Sequence, residues 1–201
     1  SGQPPSHSGL LDFLAVRFQT ELGWSVKRLI RELVLSATYR QDATVTPQLR
    51  ERDPANRLLA RGPRTRLTAE MVRDNVLAVA GLLSDKLFGP PVMPLQPDGI
   101  WRVVYSNQKW ETSKEADAHR RALYTYWRRS APYPSLLTFD APNRSVCAAR
   151  RLTTSTPLQA LVLLNETVFV ECAQALARKA LEEGGSSDEE RIEYAFRSAL
   201  S

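Results

Sequence analysis

The sequence predicts a mainly α protein: a helical domain with long irregular Pro/Arg-rich segments and at most a small β element. Three observations carry this. Apolar residues recur at helical spacing in several stretches, each opened or closed by a capping residue. Prolines cluster between those stretches, at Pro90, Pro91, Pro94 and Pro97 and again at Pro132 and Pro134, where no helix can continue. Alternation with a period of two is confined to short runs after Trp101 and after Arg120.

Taken in order, Leu11, Leu14, Ala15, Phe18 and Leu22 mark a first helix that Gly23 closes. Ser25 caps a second, with Val26, Leu29, Ile30, Leu33 and Val34 on one face and Lys27, Arg28, Arg31 and Glu32 on the other. The short link between them implies an antiparallel hairpin. Thr46-Pro47 and Asp53-Pro54 each read as a capping side chain followed by a proline at the first helical position. Thr68 caps a longer helix from Ala69 to about Leu83, with Met71, Val72, Val76, Val79, Ala80 and Leu83 as its apolar side. Asp74 beside Arg61, Arg64 and Arg66 suggests a structural salt-bridge network.

The window FGPPVMPLQPDG should run as an extended surface crossing. Trp101, Val103 and Tyr105 alternate as a short strand would, and Ser106 to Asp117 reads as a polar loop carrying Trp110, either a ligand platform or a ring tucked under the loop. From Arg120, Leu123, Thr125 and Trp127 alternate against Tyr124, Tyr126 and Arg128, which suits a strand, and Arg129 to Ser135 then crosses as irregular chain. Thr156, Pro157 and Gln159 meet three requirements of a helix start at once: a hydroxyl N-cap, proline at the first position and a capping-box residue at the third. The helix so opened is interrupted at Asn165 and Glu166, resumes through Val168, Phe169, Cys172 and Leu176, and ends at Gly184-Gly185. Ser187 to Glu190 start a last helix with acidic residues at its positive end.

At 201 residues, 43% of them hydrophobic, the chain can bury a core as a single domain. No run approaches the roughly 18 apolar residues of a membrane helix, and SGQPPSHSG has neither a basic nor an apolar signal region. Residues 1–7 are expected to be disordered or tag-derived, and 186–201 to be a truncated terminal helix of a larger modular protein. Of the 27 basic residues 22 are Arg, the residue suited to bidentate carboxylate pairing and aromatic stacking, and the 22 Asp and Glu can pair most of them. The net charge of +5 therefore argues little for nucleic acid. Cys147 and Cys172 lack any CxxC, and His7 and His119 are far apart, so no metal framework is written here. Free thiols are favoured over a bridge between the two cysteines.

The strings GWSVKRLIRELVLSATYRQ, DPANRLLARGPRTRLTAEMVRD, QPDGIW, YTYWRRSAPYPSLLTFDAPNRSVCAARR and TPLQALVLLNE together resemble the planctomycete PSD1 domain, the domain of unknown function 1553. The resemblance covers nearly the whole chain. It implies the C-terminal part of large modular proteins, many of them exported, that often carry a haem-binding cytochrome c module elsewhere. This chain has no CxxCH, so no cofactor is expected in it and any haem would belong to a separate domain.

Tyr124 to Asn165 concentrates the candidate site. Trp127, Arg128, Arg129, Tyr133, Arg144, Arg150 and Arg151 are the candidate binding residues, of the types enriched at hot spots. Asp140 is the candidate catalytic group, with Asp74, Asp98 or Glu111 as a second carboxylate. The favoured function is a non-catalytic interaction or structural module of a multidomain exported protein, binding a neighbouring domain or a polymer such as polysaccharide. The alternative is a hydrolase of carbohydrate or sulfated polymer with an Arg-lined acidic site around Asp140. Arginines beside a carboxylate make it a poor general acid, which weighs against that reading. A basic nucleic-acid-binding domain comes third. Ser135, Ser145 and Cys147 are lesser candidate nucleophiles, since none has a placed base.

Overall fold

The computed structural model describes residues 4–100, 109–148 and 151–200, and among them the chain is mainly α, with eight helices and no strand or sheet. The alternating run after Trp101 lies outside the described residues, as does Arg150. The chain divides into two compact units, Ser1–Thr65 and Arg66–Ser201.

The first unit holds α1 (Ser8–Gln19), α2 (Val26–Leu35) and α3 (Pro47–Arg52). Ser25 accepts from the Arg28 N–H at the start of α2, and Thr46 accepts from Leu49 N–H at the start of α3, with Pro47 at the first helical position. The predicted hairpin packing of α1 on α2 is not realised as a buried interface, for neither helix buries a residue. The two are tied by an Arg17–Glu32 ion pair at 3.1 Å and by the edge of the Trp24 ring on Phe18.

Asp53-Pro54 does not open a helix. Asp53 ends α3 and its buried carboxylate accepts from the backbone N–H groups of Arg57 and Leu58, both at 2.7 Å. Those N–H donors, led by that of Leu58, hold the carboxyl below its ordinary value, so the side chain stabilises a turn in place of a helix. Arg61 closes the same turn by donating to the carbonyls of Asp53 and Pro54. Next to it, a Cβ on Gly62 would lie 2.6 Å from the Gln41 carbonyl oxygen, so only glycine fits there.

The second unit is built around α4 (Ala69–Val79), α6 (Pro157–Asn165), α7 (Thr167–Glu183) and α8 (Asp188–Leu200), with the short α5 (Pro134–Thr138) between them. The capping box at Thr156 and Gln159 forms as predicted. Glu166 then breaks the chain in extended geometry, and α6 and α7 meet at a 60° bend. Helix α4 is shorter than its sequence pattern. It stops at Val79, and the residues it buries are Ala69, Arg73 and Leu77, whereas Met71 is exposed.

Two apolar clusters form the core. Ala69, Ala122, Tyr133, Leu136 and Ala141 make one; Leu77, Ala80, Val168, Phe169 and Cys172 make the other, and Phe139 packs against both. The proline-rich segment after Gly89 is extended but runs inward: every second residue, Val92, Pro94 and Gln96, is buried. The run from Arg120 is not a strand. Ala122–Tyr124 is a 3-10 turn, and among the described residues the pairings here are isolated bridges, Ser84 with Arg120 and Val92 with Thr125. Among the described residues no single helix is long and apolar enough to cross a membrane.

Candidate functional site: a buried polar centre and an exposed apolar surface

Buried guanidinium groups organise the second unit. A bend with Phe88 at φ 62° and Gly89 at φ 94° gathers backbone carbonyls around Arg120, which is almost wholly inaccessible and donates to those of Lys86, Phe88 and Pro90. Its guanidinium also lies 3.8 Å above the Tyr124 ring, which adds cation–π attraction in a desolvated place. Arg73 is equally buried. Its Nη2 donates to the Ala118 carbonyl at 2.9 Å, and its charge faces the Tyr133 ring with 6.0 Å to the centroid.

Tyr133 is fully buried, and its hydroxyl lies 2.6 Å from the Leu95 carbonyl and 3.0 Å from Glu166 Oε1. A phenol carries one proton and a carbonyl can only accept. The hydroxyl can therefore donate to the Leu95 carbonyl or to Glu166 Oε1, and the shorter contact is the one to Leu95. Burial pushes the Glu166 acid up, against the opposing pull of the Tyr133 hydrogen bond and the Arg73 charge. Tyr133 itself is raised by burial and then by the charge of Glu166, and it keeps its proton at neutral pH. Glu166 Oε2 and Arg73 Nε and Nη1 are buried without a hydrogen-bond partner among the described residues.

The sequence-predicted site residues do not converge on one cleft. Tyr133 is core. Trp127 is half-buried under Arg144, whose guanidinium lies 4.8 Å over its ring. Arg128 bonds Ser130 and Arg129 is exposed. Arg151 pairs with Glu70 at 2.6 Å and anchors its loop to the start of α4. Burial raises the Glu70 carboxyl, but the Arg151 hydrogen bond and charge, together with hydrogen bonds from the Glu70 backbone and Thr68, outweigh it and the net shift is downward.

Asp140 stands at φ 64° and accepts from the Thr154 N–H at 2.7 Å, from the Thr154 hydroxyl at 2.8 Å and from Gln159 Nε2 at 3.4 Å. Its carboxylate thus fastens a loop to the capping box of α6. Asp74 pairs with Arg121 and accepts from the Ala122 N–H, in place of the expected partners Arg61, Arg64 and Arg66. Trp110 donates its indole N–H to the Pro94 carbonyl and packs on Tyr126 and Tyr133. Cys147 is exposed and Cys172 buried, and both are free. No group of three or more His, Cys, Asp and Glu that could hold a metal occurs among the described residues.

Sequence reasoning missed Arg73, Arg120 and Glu166. Arg73 shares the 69, 73, 77 register of α4 with Ala69 and Leu77, a spacing that could have flagged an arginine on the buried face.

The second feature is an exposed apolar surface on the first unit. Leu10, Leu11, Phe13 and Val16 of α1 and Ile30, Leu33, Val34 and Leu35 of α2 are all exposed. Ile30, Leu33 and Val34 line a groove of about 420 Å³ together with Tyr39, Leu59 and Arg61. Leu59 is held there at φ 53°, and its carbonyl accepts from Gln41 Nε2.

Taken together, these features define a helical module whose described polar residues are largely engaged in holding irregular chain to helices and whose apolar surface is uncovered. The chain belongs to the PSD1 family, proteins of unknown function (DUF1553), and the family model matches residues 1–201. No curated protein and no solved structure gives a significant match.

Proposed function

We propose that the chain is a non-catalytic interaction module of a larger, exported polypeptide and that it docks onto a neighbouring domain through α1 and α2. The observation that carries this reading is the lack of a single buried residue in either helix, although both display large apolar side chains. Isolated helices of 10 and 12 residues are marginal in water and draw most of their stability from burying an apolar face. A contiguous apolar surface on that scale marks an interaction site. The engagement of Asp140 with Thr154 and Gln159 supports a non-catalytic reading, because a general base needs its lone pairs free for substrate.

The test is hydrogen exchange of the purified chain with and without the remaining domains of the full-length polypeptide supplied in trans. Slowed exchange across Ser8–Leu35 in the mixture is expected. Unchanged exchange there, with no complex detected by light scattering, would overturn the proposal.

A further inference from the structure

We infer that the groove along α2 takes an acidic amphipathic helix. This rests on the docking reading and names the chemistry of the docked element. Ile30, Leu33 and Val34 share the lining of one groove with Tyr39 and Leu59, so the surface is concave and mostly apolar. Helix α2 has ten residues and runs for about 15 Å at 1.5 Å per residue, room for roughly three turns of a second helix laid against it. Apolar anchors at i, i+3, i+4 and i+7 are how such a helix meets a groove.

Charge decides the rest. Ser1–Thr65 holds ten Lys and Arg against six Asp and Glu, so four of the chain's five net positive charges lie in this unit. Its own acids are partly spent: Glu32 pairs with Arg17, Asp53 accepts two backbone N–H groups and Asp42 accepts from the Thr44 N–H. Lys27, Arg28, Arg31, Arg40 and Arg57 are exposed and have no ion-pair partner among the described residues. Arg31, Arg40 and Arg57 adjoin in sequence the groove residues Ile30, Tyr39 and Asn56, so in a unit of net positive charge the groove favours a helix with apolar residues on one face and Glu or Asp on the other. A second copy of this unit carries the same positive excess and is repelled, and a flat bilayer does not fit a concave wall.

The test measures binding of labelled 18-residue peptides to the full chain by fluorescence anisotropy. One peptide carries Leu at i, i+3, i+4 and i+7 with Glu elsewhere on its polar face; the control replaces each Glu by Lys. The acidic peptide is expected to bind at least about tenfold tighter than the basic one, with affinity falling as salt rises. Leu33→Glu should abolish that binding. The double reversal Arg31→Glu and Arg40→Glu, which leaves the apolar wall untouched, should invert the preference. Equal affinity for both peptides, no binding of either, or binding to anionic phosphatidylglycerol vesicles in place of the peptides would overturn the inference. If the neighbouring domains protect Ser8–Leu35 and the acidic peptide still does not bind, the assignment of the occupant fails and the docking reading stands.

Discussion

The Tyr133 hydroxyl stands 3.0 Å from the Glu166 carboxyl, at the point where α6 gives way to α7. One partner sits at the head of α5 and the other in the break between two helices, so a single contact couples the irregular centre of the second unit to its helical layer. Its protonation state is the first thing to test.

Because burial raises Glu166, the folded protein keeps this proton at pH values where the unfolded chain has lost it. The associated stability is fully present below the ordinary Glu value and is lost as pH rises through the raised folded value. Glu166→Gln keeps a hydrogen-bonding amide beside Tyr133 and has no proton to lose. Urea unfolding from pH 4 to 8 should therefore show the variant gaining on the wild type as pH rises. A constant difference between the two curves would mean that Glu166 is ionised in the fold.

Arg120→Lys keeps the charge but loses the planar fork and the stacking on Tyr124. Hydrogen bonds to charged groups contribute about 1.5–3 kcal/mol each, so a loss of about 2 kcal/mol or more is expected in urea unfolding. Arg121→Lys, on a half-exposed ion pair with Asp74, should cost less than about 1 kcal/mol. Equal effects would show that Arg120 does not organise the proline-rich segment.

Asp140→Asn retains an acceptor for the Thr154 N–H and tolerates positive φ, and should cost less than about 1 kcal/mol. Asp140→Ala loses all three contacts and places a Cβ residue without a polar side chain at φ 64°, for a cost of about 2 kcal/mol. Wild-type stability of the alanine variant would refute the structural role.

Burial pushes the Cys172 thiol up to about 11, so at neutral pH it is neutral as well as hidden, whereas Cys147 is exposed. Titration with a thiol reagent should find one fast thiol per native chain and a second only on unfolding. Two fast thiols would show that the cluster around Cys172 opens readily.

The helices were legible because their signals are local. A Thr-Pro-x-Gln start at Thr156 or a Ser cap at Ser25 is satisfied by backbone groups within four residues, whatever the rest of the chain does. The same locality explains the error at Asp53, whose side chain can accept from N–H groups in a turn as well as in a helix. At Arg120 the alternation of aromatics was real but meets only isolated bridges among the described residues.

By itself, then, the sequence determined the helical class, the caps and the break between α6 and α7, all of which depend on neighbours along the chain. Tertiary structure alone decided which polar residues are interior. Arg73 and Arg120 are indistinguishable from surface arginines by composition, and they are buried because carbonyls from Ala118 and from Lys86 to Pro90 arrive from 30 or more residues away to receive them. The same distant packing took Tyr133 out of the predicted binding edge, since burial is a property of what folds against a residue and not of the residue itself.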